Sequence, residues 1–167
     1  MNTQKLFSPP VTAGITTVAR LAIGAVFIVA ALDKIIAPDA FAKNILNYLI
    51  VPDQLINLMA LVLPWLELLC GIALVLGLWV RTSAAIAGAL LVIFIVAVAS
   101  AMIQGLDINC GCFSQKGEGT KVGWPKVFEN IGLTTLTIWM VIFPESFLSL
   151  EKYLRFETPV AEAQQIL

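Results

Sequence analysis

Leu55–Val80 reads LINLMALVLPWLELLCGIALVLGLWV, twenty-six residues whose one charge is Glu67. The hydrocarbon core of a bilayer is about 30 Å thick and takes roughly 20 helical residues to cross. Lipid offers no hydrogen-bond partners, so a run of this kind that enters a membrane does so as a helix. Three further apolar runs follow the same pattern, at about 14–37, 82–105 and 127–147. The expectation is an all-α integral membrane protein, a four-transmembrane-helix bundle forming a single domain over 1–167. A polar loop at 106–126 and a C-terminal tail at 148–167 complete it.

Composition agrees with that class. Of 167 residues, 59% are hydrophobic and only 13% charged, against about a quarter charged in soluble domains. A net charge of −1 offers no basic field for nucleic acid. The chain has no histidine, which removes bis-His haem, His-ligated metals and the usual His-activated nucleophiles. Three cysteines cannot make a Cys₄ site within one chain, so no metal is expected. Thiols, carboxylates or a bound organic cofactor must carry any chemistry.

Between the first two runs, PDAFAKNILNYLIVPD (38–53) places Phe41, Ile45, Leu46 and Leu49 on one helical face, opposite Lys43, Asn44 and Asn47. This predicts a short interfacial helix bounded by Pro38 and Pro52. The first 31 residues also mimic a signal peptide, Arg20 closing a charged region before LAIGAVFIVAA; a membrane span is the preferred reading. Lysines and arginines divide five against five between the two sides, so the positive-inside rule gives no orientation.

Glu67 falls near the bilayer midplane, where a carboxylate costs at least a few kcal/mol. It is expected to face the bundle interior. There it serves either as a proton relay or quinone-headgroup partner, or as a polar clasp to another span. Arg20 and Lys34, fourteen residues apart, share one face of the first span. Both are expected to snorkel toward the two interfaces, with an Arg20–Glu67 pair as the sharper alternative and Asp33–Lys34 as a local pair. Pro64 predicts a kink and a cavity beside Glu67, which Trp65 either lines or merely packs near. Cys70 lies too deep to bridge to the loop cysteines, since bridged Cα atoms lie within about 7 Å.

The loop carries INCGCFSQKGEG (108–119), with Cys110 and Cys112 separated by Gly111. A disulfide between them requires a turn, which glycine permits. So small a ring is strained, and strained exposed disulfides exchange readily. As a structural staple it would close almost no loop. Half of a metal site, with Asp107 and Glu118 as further ligands, and an inert pair of loop thiols stand beside the redox reading.

RLAIGAVFIVAALDKI (20–35), LPWLELLCGIALVLG (63–77) followed by Arg81, and CGCF (110–113) before the last run resemble the MauE branch of the DoxX-like membrane protein family. The resemblance covers about Arg20 to Asn130. It implies a four-span protein working in maturation of disulfide-rich periplasmic proteins, beside a thioredoxin-like partner. It makes Cys110 and Cys112 the redox pair and places Glu67, Arg20 and Lys34 in a shared intramembrane polar pattern. The wider DoxX group brings a quinone as the implied cofactor, expected near Glu67, Trp65 and Arg20. Disulfides persist outside the cytosol, so the loop is expected on the periplasmic face of a bacterial inner membrane, with both termini cytoplasmic. The rival expectation is a non-catalytic subunit of a larger membrane complex, docking through small-residue faces such as Ala84-x-x-x-Gly88.

Overall fold

The computed structural model describes residues 9–106 and 123–144. The described residues form five helices: α1 (Pro9–Ile36), α2 (Pro38–Asn47), α3 (Asp53–Leu76), α4 (Val80–Ile103) and α5 (Trp124–Ile142). Cys110, Cys112, residues 107–122 of the expected 106–126 loop and the 148–167 tail lie outside the described residues.

Prolines and glycines set the boundaries. Pro38 cannot continue the hydrogen bonding of α1 but suits the first turn of the next helix, so a single residue, Ala37, separates α1 from α2. Pro52 is extended and leads into α3, whose first turn carries Asp53 at the positive end of the helix dipole. The α3–α4 junction was expected around Val80–Thr82; it falls earlier. Gly77 is left-handed (φ 71°), and the Leu78 and Gly77 amides donate to the Ala73 and Leu74 carbonyls at 2.9 and 3.2 Å. This is a Schellman cap, which only a residue tolerant of positive φ ends cheaply.

The tightest pairing is α1 against α3. A Cβ on Gly24 would sit 2.8 Å from the Gly71 carbonyl oxygen, and one on Gly71 would sit 2.9 Å from that of Gly24. The two backbones touch because both positions lack side chains. On the other side of the bundle, α4 meets α5 where Gly88 faces the Thr137 hydroxyl, 2.8 Å from a notional Cβ. Ala84 is fully buried. The Ala84–Gly88 stripe is therefore used within the chain, which removes it as a docking face for a partner. Ile23, Phe27, Cys70, Leu74, Leu91 and Met140 fill the centre. Val18, Leu61, Leu69, Val96 and Ile138 point outward and exposed, as helix faces in lipid do.

Three helices are long and apolar enough to cross a membrane, over Val11–Ile36, Asp53–Leu76 and Val80–Ile103. The chain is an integral membrane protein. The expected fourth span corresponds to α5, which carries Lys126, Glu129, Asn130 and three threonines in nineteen residues and is less apolar. Lys126, Asn130 and Thr137 are buried against the other helices, so its polarity is turned inward. At its far end the Thr16 hydroxyl donates to the Phe143 carbonyl at 2.8 Å, satisfying a helix-end acceptor.

Candidate functional site

Two lysine–carboxylate pairs meet inside the bundle. Lys34, in the last turn of α1, donates to both oxygens of Glu67 on α3 at 2.7 and 2.6 Å. Their side chains are 9% and 18% exposed, so the pair is largely removed from solvent. The same ammonium lies 5.2 Å from the ring centroid of Phe41 on α2, a cation–π contact that ties the short helix to the pair. On α5, Lys126 meets Glu129 at 2.6 Å across one helical turn, and the Asn130 amide donates to the Lys126 carbonyl at 2.7 Å. Both pairs line one small cavity, bounded by α1, α3, α4 and α5.

This arrangement changes two expected roles. Lys34 does not snorkel to the interface; it turns inward to neutralise Glu67. Arg20 does not pair with Glu67, because it stands level with Leu74, two turns along α3. Arg20 is only 1% exposed, its Nη1 donates to the Leu74 carbonyl at 3.5 Å, and its Nε has no partner. Asp33 makes no ion pair with its neighbour Lys34, and its Oδ2 is buried without a hydrogen bond. Trp65 is 51% exposed and lines neither this cavity nor the larger one beside it. Pro64 is fully buried within α3. Of the three residues expected around a cofactor, the cavity contains Glu67.

Lys126, Glu129 and Asn130 join the site without standing out in the sequence, because Lys126 flanks the apolar run at 127–147. Their i, i+3, i+4 spacing on an apolar helix was the available signal.

The larger cavity lies between α2, α3 and α4, has about 1120 Å³ of empty volume out to its open mouth, and is almost wholly apolar. Lys34, Glu67, Leu90 and Phe94 line both cavities, so the Lys34–Glu67 pair stands where they meet. Tyr48, after α2, also lines the larger one and packs with Val98, Ala101 and Val127 at the ends of α4 and α5 that flank the C-G-C loop. Burial pushes the Tyr48 phenol up to about 12, so it stays a neutral donor at physiological pH. Among the described residues no group of three or more Cys, Asp or Glu is placed to hold a metal.

Three apolar crossing helices, a buried intramembrane ion pair and a second polar cluster on a less apolar helix define a small helical membrane protein with a polar interior site. The family model described as "Methylamine utilisation protein MauE" matches residues 12–143, and the chain belongs to that family. It is 31% identical over 127 residues to the methylamine utilization protein MauE of Methylophilus methylotrophus, covering 75% of this chain and 67% of that one. It is 33% identical to MauE of Paracoccus denitrificans and 36% to that of Methylorubrum extorquens, each over 71% of this chain and 64% of the relative. The chain thus spans about two thirds of these relatives' length. No solved structure matches.

Proposed function

We propose that this chain is a membrane-embedded thiol–disulfide relay supporting the maturation of extracytoplasmic proteins, with Cys110 and Cys112 as the exchanging pair. One observation supports the reading: the C-G-C sequence lies in the chain between α4 and α5, whose adjoining ends pack with Tyr48. The relatives are named for methylamine utilisation, and the reading takes this chain's clients from the proteins of that process. On this view α5 is the fourth crossing of a bacterial inner membrane. The loop then faces the periplasm and both termini face the cytoplasm.

In the exchange, a thiolate of a thioredoxin-like partner attacks one sulfur of the Cys110–Cys112 disulfide and forms a mixed disulfide. The partner's second thiolate resolves it and leaves oxidised. The C-G-C pair is left as a dithiol, having accepted two electrons and two protons. Lys116 or Lys121 in the loop favours the thiolate electrostatically. A quinone, when bound, supplies a two-electron, two-proton acceptor for reoxidation of that dithiol. The residues present suit such a group at Lys34–Glu67, where an ammonium donor and a carboxylate acceptor border both cavities. Trp65 and Arg20 are not part of that site.

Cys110→Ser/Cys112→Ser tests the reading. The expected outcome is loss of partner-linked mixed disulfides and reduced, immature client proteins, with the chain still in the membrane. Full client maturation in the double variant overturns the relay and favours the non-catalytic subunit of a larger complex.

A further inference from the structure

Two cavities share one wall, formed by the Lys34–Glu67 ion pair with Leu90 and Phe94, and the charged and amide groups gather in only one of them. The chamber on the α5 side presents Lys34, Glu67, Lys126, Glu129 and Asn130. The groove on the α2 side is walled by apolar groups such as Met59, Leu63 and Ala97. Its outer rim includes Ile93 and Val96 on the exposed face of α4, so it opens sideways, where lipid lies. A polar inner end joined to an apolar groove with a lateral mouth is the shape of an amphiphile site: the head enters first and the chain trails toward the bilayer.

Charge narrows the head. Among the described residues Lys34 is neutralised by Glu67 and Lys126 by Glu129, so the charged groups described in the chamber wall balance. A phosphate or quaternary ammonium would find no net countercharge there and would lose its hydration on entry. A neutral head carrying carbonyl or hydroxyl oxygens loses less, accepting from an ammonium or donating to a carboxylate. One chain is what a single groove takes.

We infer that the chamber and groove together form a binding site for a neutral, single-chain amphiphile with an oxygen-bearing head, its head at Lys34–Glu67 and its chain between α3 and α4. This rests on the relay reading only in making a prenylated quinone the redox-active occupant; the site follows from the cavities and their charge balance.

The test uses the full chain with Cys110→Ser/Cys112→Ser, in nanodiscs, so that thiol chemistry cannot affect binding. The probe is a decyl-chain benzoquinone with a diazirine at the chain end, photolysed and mapped by peptide mass spectrometry. Saturable labelling is expected on α3 between Met59 and Glu67 and on α4 between Leu90 and Ala97. Decylubiquinone should compete at least tenfold better than decyl phosphate or decyltrimethylammonium. Ala97→Trp should cut labelling at least fivefold by filling the groove, whereas Leu61→Trp, on an exposed face, should not. Unsaturable labelling spread over the outward faces shows bulk lipid alone and overturns the site. Equal competition by all three decyl compounds overturns the headgroup assignment. Failure here leaves the cysteine test of the relay untouched, and failure of the relay leaves this binding result standing.

Discussion

At the residue scale, the clasp between Lys34 of α1 and Glu67 of α3 is fixed by the way these two helices cross. Arg20 and Lys34 share a face of α1, and which of them meets Glu67 depends on where α1 crosses α3. The Gly24–Gly71 contact sets that crossing, a non-local fact that periodicity does not contain. The attraction between Lys34 and Glu67 offsets the cost of desolvating both, so losing one strands the other. Glu67→Leu should therefore destabilise the fold by about 3–5 kcal/mol, while Lys34→Met/Glu67→Leu should recover most of that loss. Unfolding in mixed micelles checks this, and a single variant as stable as the parent would refute the clasp. Tyr48 gives a second prediction. Its phenol is raised from 10 to about 12, so the fold retains a proton that the unfolded chain releases. Stability should be unaffected below pH 10 and fall as pH rises from about 10 to 12. Absorbance at 295 nm should show one late-titrating tyrosine of the two, a step that is absent in Tyr48→Phe; both tyrosines of the parent titrating near pH 10, with no later step, contradicts it.

At the scale of elements, long apolar runs announced the crossing helices, because membrane insertion is written in composition. The turn between α3 and α4 was placed a few residues late, because Leu78, Trp79 and Val80 are as apolar as the helix they leave. Gly77 was the usable mark. The C-terminal helix was harder to read, since its lysine, asparagine and threonines face inward and lower its apolarity. The paired glycines make a sharp contrast available. Gly24→Ala forces a Cβ to within 2.8 Å of the Gly71 carbonyl and should cost about 1–3 kcal/mol through separation of α1 and α3. Gly132→Ala meets nothing within 4 Å and should be neutral or stabilising by up to about 1 kcal/mol through helix propensity. Thermal unfolding of the two variants side by side decides it. Equal effects would mean that the α1–α3 approach is not set by these glycines.

At the scale of the whole molecule, the family and the helical membrane class were both readable from the chain, whereas the polar interior was only half visible. Glu67 stood out; Lys126, Glu129 and Asn130 did not, because their joint meaning appears only when α1, α3 and α5 converge on one cavity. The relay adds a claim about the loop at that end of the bundle: the C-G-C pair is oxidised and faces the outside of the cell. The most direct test is thiol trapping in intact cells with a membrane-impermeant maleimide, reading Cys110 and Cys112 in a Cys70→Ser background. The account predicts no labelling until a reductant is added, then two maleimides per chain without permeabilising the membrane. Labelling without reductant, or labelling that appears only after the inner membrane is breached, would contradict it.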